Sequence, residues 1–94
     1  MTRYFVIYCR SNPLEKNRVG FTVGKKLGKA VVRNRVRRRL REIYRLNEER
    51  IQCGYDLVIV ARTAAVGARF SALQAAYLNA LGRLNLLRSE EDLP

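Results

Sequence analysis

Residues 25–45 read KKLGKAVVRNRVRRRLREIYR, and no other stretch constrains the fold so tightly. Ten of these residues are Lys or Arg (Lys25, Lys26, Lys29, Arg33, Arg35, Arg37, Arg38, Arg39, Arg41 and Arg45) against one acid, Glu42, so the segment carries +9 of the chain's formal +11. Val32, Val36, Leu40, Ile43 and Tyr44 fall in one stripe at near 100° per residue, which predicts a helix over about 29–50. Asn34, Arg38, Arg41 and Arg45 form a second stripe on the opposite side, with Arg33 and Arg37 at one border of the apolar face and Arg35 and Arg39 towards the other. Packing the first stripe therefore presents the second to solvent as a basic ridge.

The remaining chain is arranged to supply that packing. Ninety-four residues make a single domain, and 48% apolar residues is ordinary globular composition, so the high charge does not signal disorder. Residues 3–10 (RYFVIYCR) are aromatic and β-branched and predict a strand. Phe5, Ile7 and Cys9 would line one face and Tyr4, Val6 and Tyr8 the other, both apolar and both expected to be covered. Residues 11–17 (SNPLEKN) are turn chemistry, and 18–23 (RVGFTV) alternate as a second strand that would pair antiparallel with the first. Residues 24–28 read as a loop. After the basic helix, 55–61 (YDLVIVA) have the pattern of an interior strand. Residues 70–87 predict a second helix, capped near Ser71, with Leu73, Ala76, Tyr77, Ala80, Leu81 and Leu84 facing the core. Residues 88–94 read as a frayed, acidic tail. The order is β-β-α-β-α, an α+β domain with helices against one small sheet.

Composition excludes several chemistries. The chain has no histidine and two distant cysteines, Cys9 and Cys53, too few donors for a structural zinc site, so no metal is assigned. Both thiols are expected to be structural and buried. Of the acids, only Glu48 and Glu49 are adjacent before the tail, and neighbours on a helix do not face one another. With no His to serve as a base and no phosphate loop of Walker spacing, no catalytic residue is assigned. No segment resembles a membrane span or a secretory signal, so the cytoplasm is the default location and no membrane partner is expected.

The ridge remains. A plain solvated face is the competing reading, but six arginines within residues 33–41 repel one another, and the chain lacks the acid to neutralise them. Arg side chains fit phosphate oxygens through a planar fork, which points to a polyanion such as RNA. Asn34 adds a hydrogen-bonding amide at the centre of the ridge. Tyr4 and Tyr8 could stack unpaired bases or simply pack in the core, and the pattern alone does not separate the two.

The run GFTVGKKLGKAVVRNRVRRRLRE resembles the signature of the bacterial ribonuclease P protein subunit. In that family a strand enters a lysine-bearing loop, followed by a helix with an Arg-Asn-Arg core. YDLVIVART and the Leu/Ala-rich helix after it resemble the family's last strand and helix. The resemblance implies a ribosomal-protein-S5-domain-2-like sandwich with a left-handed β-α-β crossover, against the usual preference. It also implies a ribonucleoprotein that removes the 5′ leader of precursor tRNA, an endoribonuclease whose catalytic groups and Mg2+ belong to the RNA, with no cofactor on the protein. Lys25, Lys26, Lys29, Arg33, Asn34, Arg35, Arg37, Arg38, Arg39, Arg41 and Arg45 would contact RNA. Tyr4, Tyr8 and Thr22 would line a leader cleft, with Tyr8 matching an aromatic position of that cleft. The alternatives are an rRNA- or DNA-binding module unrelated to tRNA processing, and a nuclease in its own right.

Family members begin with a further helix and short strand, whereas this sequence opens at the equivalent of the next strand. The expectation is an apolar sheet face with less cover, a tendency to form homodimers or swap elements, and reduced leader affinity.

Overall fold

The computed structural model describes residues 2–88. Its elements are β1 (Phe5–Ser11), β2 (Arg18–Thr22), α1 (Ala30–Leu46), β3 (Tyr55–Ala61) and α2 (Phe70–Arg83), with single 3-10 turns at Lys25–Leu27, Glu48–Arg50 and Thr63–Ala65. The α+β class and the element order agree with the sequence reading.

Strand pairing does not. β3 lies between the other two, so the sheet order is β1-β3-β2. β1 pairs with β3 antiparallel, from Phe5 opposite Ala61 to Ser11 opposite Tyr55. β2 pairs with β3 in parallel, from Arg18 opposite Asp56 to Thr22 opposite Val60. The expected β1–β2 hairpin is thus replaced by two long-range pairings. The physical reason lies in β3, whose continuous apolar run has the most to gain from a central position. α1 then serves as the crossover that two parallel strands require.

One sheet face packs on the helices. Phe5, Ile7, Leu57, Ile59 and Ala61 join Val36, Leu40 and Ile43 of α1 and Leu73, Tyr77, Ala80 and Leu81 of α2 in one core. Tyr77 meets Phe5 edge to face at 6.5 Å. The opposite face is open rather than covered, because both helices sit on one side. Along β1 only Phe5 and Ile7 are buried, and every residue from Tyr8 onward is exposed. Cys9, on the same face as Phe5 and Ile7 but further along β1, is exposed, as is Cys53, which corrects the expectation of buried structural thiols.

Helix ends also differ from the periodicity. α1 stops at Leu46 because Asn47, 5% exposed, closes it. The Asn47 side-chain amide donates to the Ile43 carbonyl at 2.9 Å and to Gln74 Oε1 at 3.0 Å, which ties the end of α1 to α2. At the other end Gly28, with φ of 127°, takes a backbone conformation that side chains disfavour and turns the chain into the helix. Gly54, with φ of 91°, sits beneath the β1–β2 loop, where an added Cβ would lie 3.3 Å from the Leu14 carbonyl oxygen. α2 begins after Arg69 with no side-chain cap, so Ser71 does not play that part, and Leu84 falls beyond the helix and is exposed. Arg88 is anchored through its backbone N–H to the Arg50 carbonyl at 2.7 Å. The rest of the expected tail, 89–94, lies outside the described residues.

Candidate nucleic-acid interface

The ridge is built by the register of α1. Burying Val36, Leu40 and Ile43 turns Asn34, Arg35, Arg38, Arg41 and Arg45 outward, all exposed, while Arg33, Arg37 and Arg39 lie half-buried along the flanks. The electrostatic question is whether the chain's own acids occupy these guanidinium groups. Among the described residues, three ion pairs form, and only Arg45–Glu42, at 2.6 Å, involves residues 25–45. That pairing, chiefly its hydrogen bond, holds the Glu42 carboxyl below its usual range and raises Arg45. Arg37 donates to Asn34 Oδ1 at 2.8 Å, which orients both side chains around a polar crevice shared with Arg38 and Arg41. Arg39 is used differently. It donates to the Ala68 carbonyl at 3.0 Å and staples α1 to the segment entering α2. The Arg33 Nε is buried without a partner.

Lys25, Lys26 and Lys29 are exposed ahead of the helix. Their segment is the 3-10 turn rather than open loop, and buried Leu27 pins it to the core. The lysines therefore extend the basic surface from a fixed platform.

The three cleft residues separate. Tyr4 is half-buried and packs on the core, with the Arg3 guanidinium 6.0 Å from its ring. Tyr8 is 61% exposed. It stands opposite Val58, itself facing Gly20 across the next pair, so all three share the open sheet face. Thr22 is exposed at the end of β2, two residues along that face from Gly20. The two tyrosines thus differ in surroundings: Tyr4 packs partly against the core, and the Tyr8 ring is exposed.

Beside Tyr8 on that face, Asp56 bridges the outer strands. Arg18 grips it with Nε and Nη2 at 2.8 and 2.7 Å, Asn12 donates at 2.8 Å, and Arg10 approaches at 3.5 Å. The Arg18 and Asn12 hydrogen bonds hold the Asp56 carboxyl far below its usual range.

Sequence reasoning missed one feature. A cleft of about 570 Å³ opens between β2 and the C-terminal half of α1, with Phe21, Tyr44, Arg41 and Glu48 among its walls. Phe21 and Tyr44 were legible as apolar positions, but no local signal shows that the two rings meet.

The comparisons with known proteins agree with this geometry. The family model described as Ribonuclease P matches residues 1–85. The ribonuclease P protein component of Alkaliphilus oremlandii is 46% identical over 87 residues, covering 93% of this chain and 76% of that protein. The RNase P protein from Thermotoga maritima superposes with a TM-score of 0.82 at 34% identity, covering 88% of this chain and 79% of that one. Staphylococcus aureus RNase P protein gives 0.83 at 29% identity, with 94% and 81% covered. Agreement in both sequence and backbone over most of its length places the chain in the ribonuclease P protein family.

Proposed function

We propose that this chain is the RNA-gripping subunit of a ribonuclease P ribonucleoprotein, binding the catalytic RNA and the 5′ leader of precursor tRNA. Family membership supports the RNA partner and the tRNA-processing role. The observation that carries the finer reading is the unpaired ridge, where nine of the ten cations in residues 25–45 have no acid partner among the described residues. Arg35, Arg38 and Arg41 bridge backbone phosphates and displace condensed counterions, and Lys25, Lys26 and Lys29 continue the contact. Arg39 acts mainly inside the fold. On the open sheet face, Tyr8 stacks a leader base, with Thr22 at the margin.

Hydrolysis is assigned to the RNA and its Mg2+. The described residues offer the ion no built site: no group of three or more His, Cys, Asp or Glu comes together, and the Asp56 carboxylate is committed to Arg18 and Asn12. In this reading the protein's residues neutralise phosphates and position the leader while carrying no step of the chemistry. The described residues contain no helix long and apolar enough to cross a membrane.

The test is complementation. Ribonuclease P RNA at low magnesium should cleave precursor tRNA faster when this protein is added. No acceleration, together with equal binding to unrelated RNA or DNA, would favour a general basic module instead.

A further inference from the structure

The cleft between β2 and α1 has a composition that phosphate binding does not explain. Phe21 and Tyr44 meet edge to face at 6.5 Å and 77°, forming a corner of two apolar walls. Both pack on the core, which fixes the corner in place. The Arg41 guanidinium stands 6.0 Å from the Phe21 ring centroid, and Arg37 lies one helical turn away at the mouth. The third side is the edge of β2 at Val19 and Gly20. The cleft's size, about 570 Å³, falls within the roughly 300–1,000 Å³ of small-molecule sites.

Glu48 is the only acid among the lining residues, and it forms no ion pair with any described residue. A carboxylate repels phosphate, so its presence beside three arginines calls for a ligand that brings N–H donors as well as an anion. Aromatic walls call for a planar group. A nucleotide satisfies all three requirements, and the bases differ in how well they do so. A carboxylate only accepts hydrogen bonds, through two adjacent oxygens. Guanine alone presents two adjacent N–H donors, N1–H and N2–H, on its Watson–Crick edge. Adenine and cytosine place an acceptor beside their amino donor, and uracil flanks its single donor with two acceptors. Each of those would set a lone pair against Glu48.

Resting on the RNA-subunit reading above, we propose that this cleft binds one unpaired guanine nucleotide of the RNA partner. The base packs into the Phe21–Tyr44 corner with its Watson–Crick edge on Glu48, and Arg41 and Arg37 hold its phosphate. The Phe21 ring lies on the helix side of the sheet, opposite to the face that carries Tyr8.

The experiment titrates the full chain with GMP, AMP, CMP and UMP, followed by backbone amide NMR. GMP should give saturable shifts at Gly20, Phe21 and Tyr44 and bind at least about fivefold tighter than the other three, the lower end expected for a bidentate base contact. Exposed Glu48→Gln should remove that preference while leaving the spectrum folded. Equal affinity for all four nucleotides, or shifts confined to the outer ridge, would overturn the assignment. Binding of the same chain to ribonuclease P RNA is measured alongside. Firm RNA binding with no guanine preference defeats this inference and leaves the proposed function standing, whereas absence of RNA binding defeats both.

Discussion

The two helices are similar in length, 17 residues for α1 and 14 for α2, yet they do opposite work. α1 carries seven arginines and sinks only Val36, Leu40 and Ile43 into the core. α2 carries one arginine, Arg83, and buries Leu73, Tyr77, Ala80 and Leu81. A helix with seven like charges is self-repelling in isolation. It persists here because a neighbour with almost no charge of its own provides the apolar surface, while Asn47 and Arg39 fasten the two together. One helix is thereby freed to hold charge outward, and the other holds it in place.

That division can be broken from the inside. Val36→Asp should abolish the cooperative thermal transition, because it places an unpaired charge where α1 is 2% exposed. On α2, Tyr77→Ala should cost about 3–5 kcal/mol by thermal or urea unfolding. Tyr77→Phe should be neutral or slightly stabilising, since the Tyr77 hydroxyl is buried without a partner. A large loss in Tyr77→Phe would mean that α2 is held by a polar contact rather than by packing.

The staple between the helices predicts a middle-sized effect. Arg39→Ala should destabilise by about 1 kcal/mol through the lost bond to the Ala68 carbonyl. Arg38→Ala and Arg41→Ala should instead leave stability within about 0.5 kcal/mol and weaken RNA binding, each lowering the salt slope by about 1. If Arg39→Ala behaved like Arg38→Ala, the distinction between a structural and a presenting arginine would fail.

The smallest effect lies at the outer strands. The Asp56 carboxyl is held below its ordinary value of 3.8, so its contribution to stability is complete above that pH and fades as pH falls beneath it. Asp56→Asn should lower the melting temperature at pH 7, and the gap from the parent should close as pH is taken below 3.8. A gap independent of pH would show that the Arg18 pairing is not its source.

The α1 stripe was legible because helical periodicity is local. Val36, Leu40 and Ile43 announce their buried side within two turns. Strand order was not legible, because placing β3 between β1 and β2 depends on contacts 38 to 56 residues apart, and a six-residue gap at 12–17 suggests a hairpin just as well. The open sheet face escaped for a related reason. Tyr8 has the composition of a covered position, and only the placement of both helices on the other side of the sheet exposes it, whereas Cys9 shares the face of Phe5 and Ile7 and is exposed where β1 runs on past its buried residues. The arginine ridge could be read as a set, but the separate fates of its members could not. The Arg39 bond to Ala68 and the Arg45 pairing with Glu42 are matters of rotamer and neighbour.

The central claim is that the ridge of α1 is free to meet phosphates. Its most direct test is the affinity for ribonuclease P RNA measured against salt concentration. If about five phosphates are contacted, log affinity should fall with log salt at a slope of roughly −3.5 to −4.5, and the slope should flatten in the Arg38→Ala/Arg41→Ala double variant. A slope near zero, unchanged by those substitutions, would contradict the account.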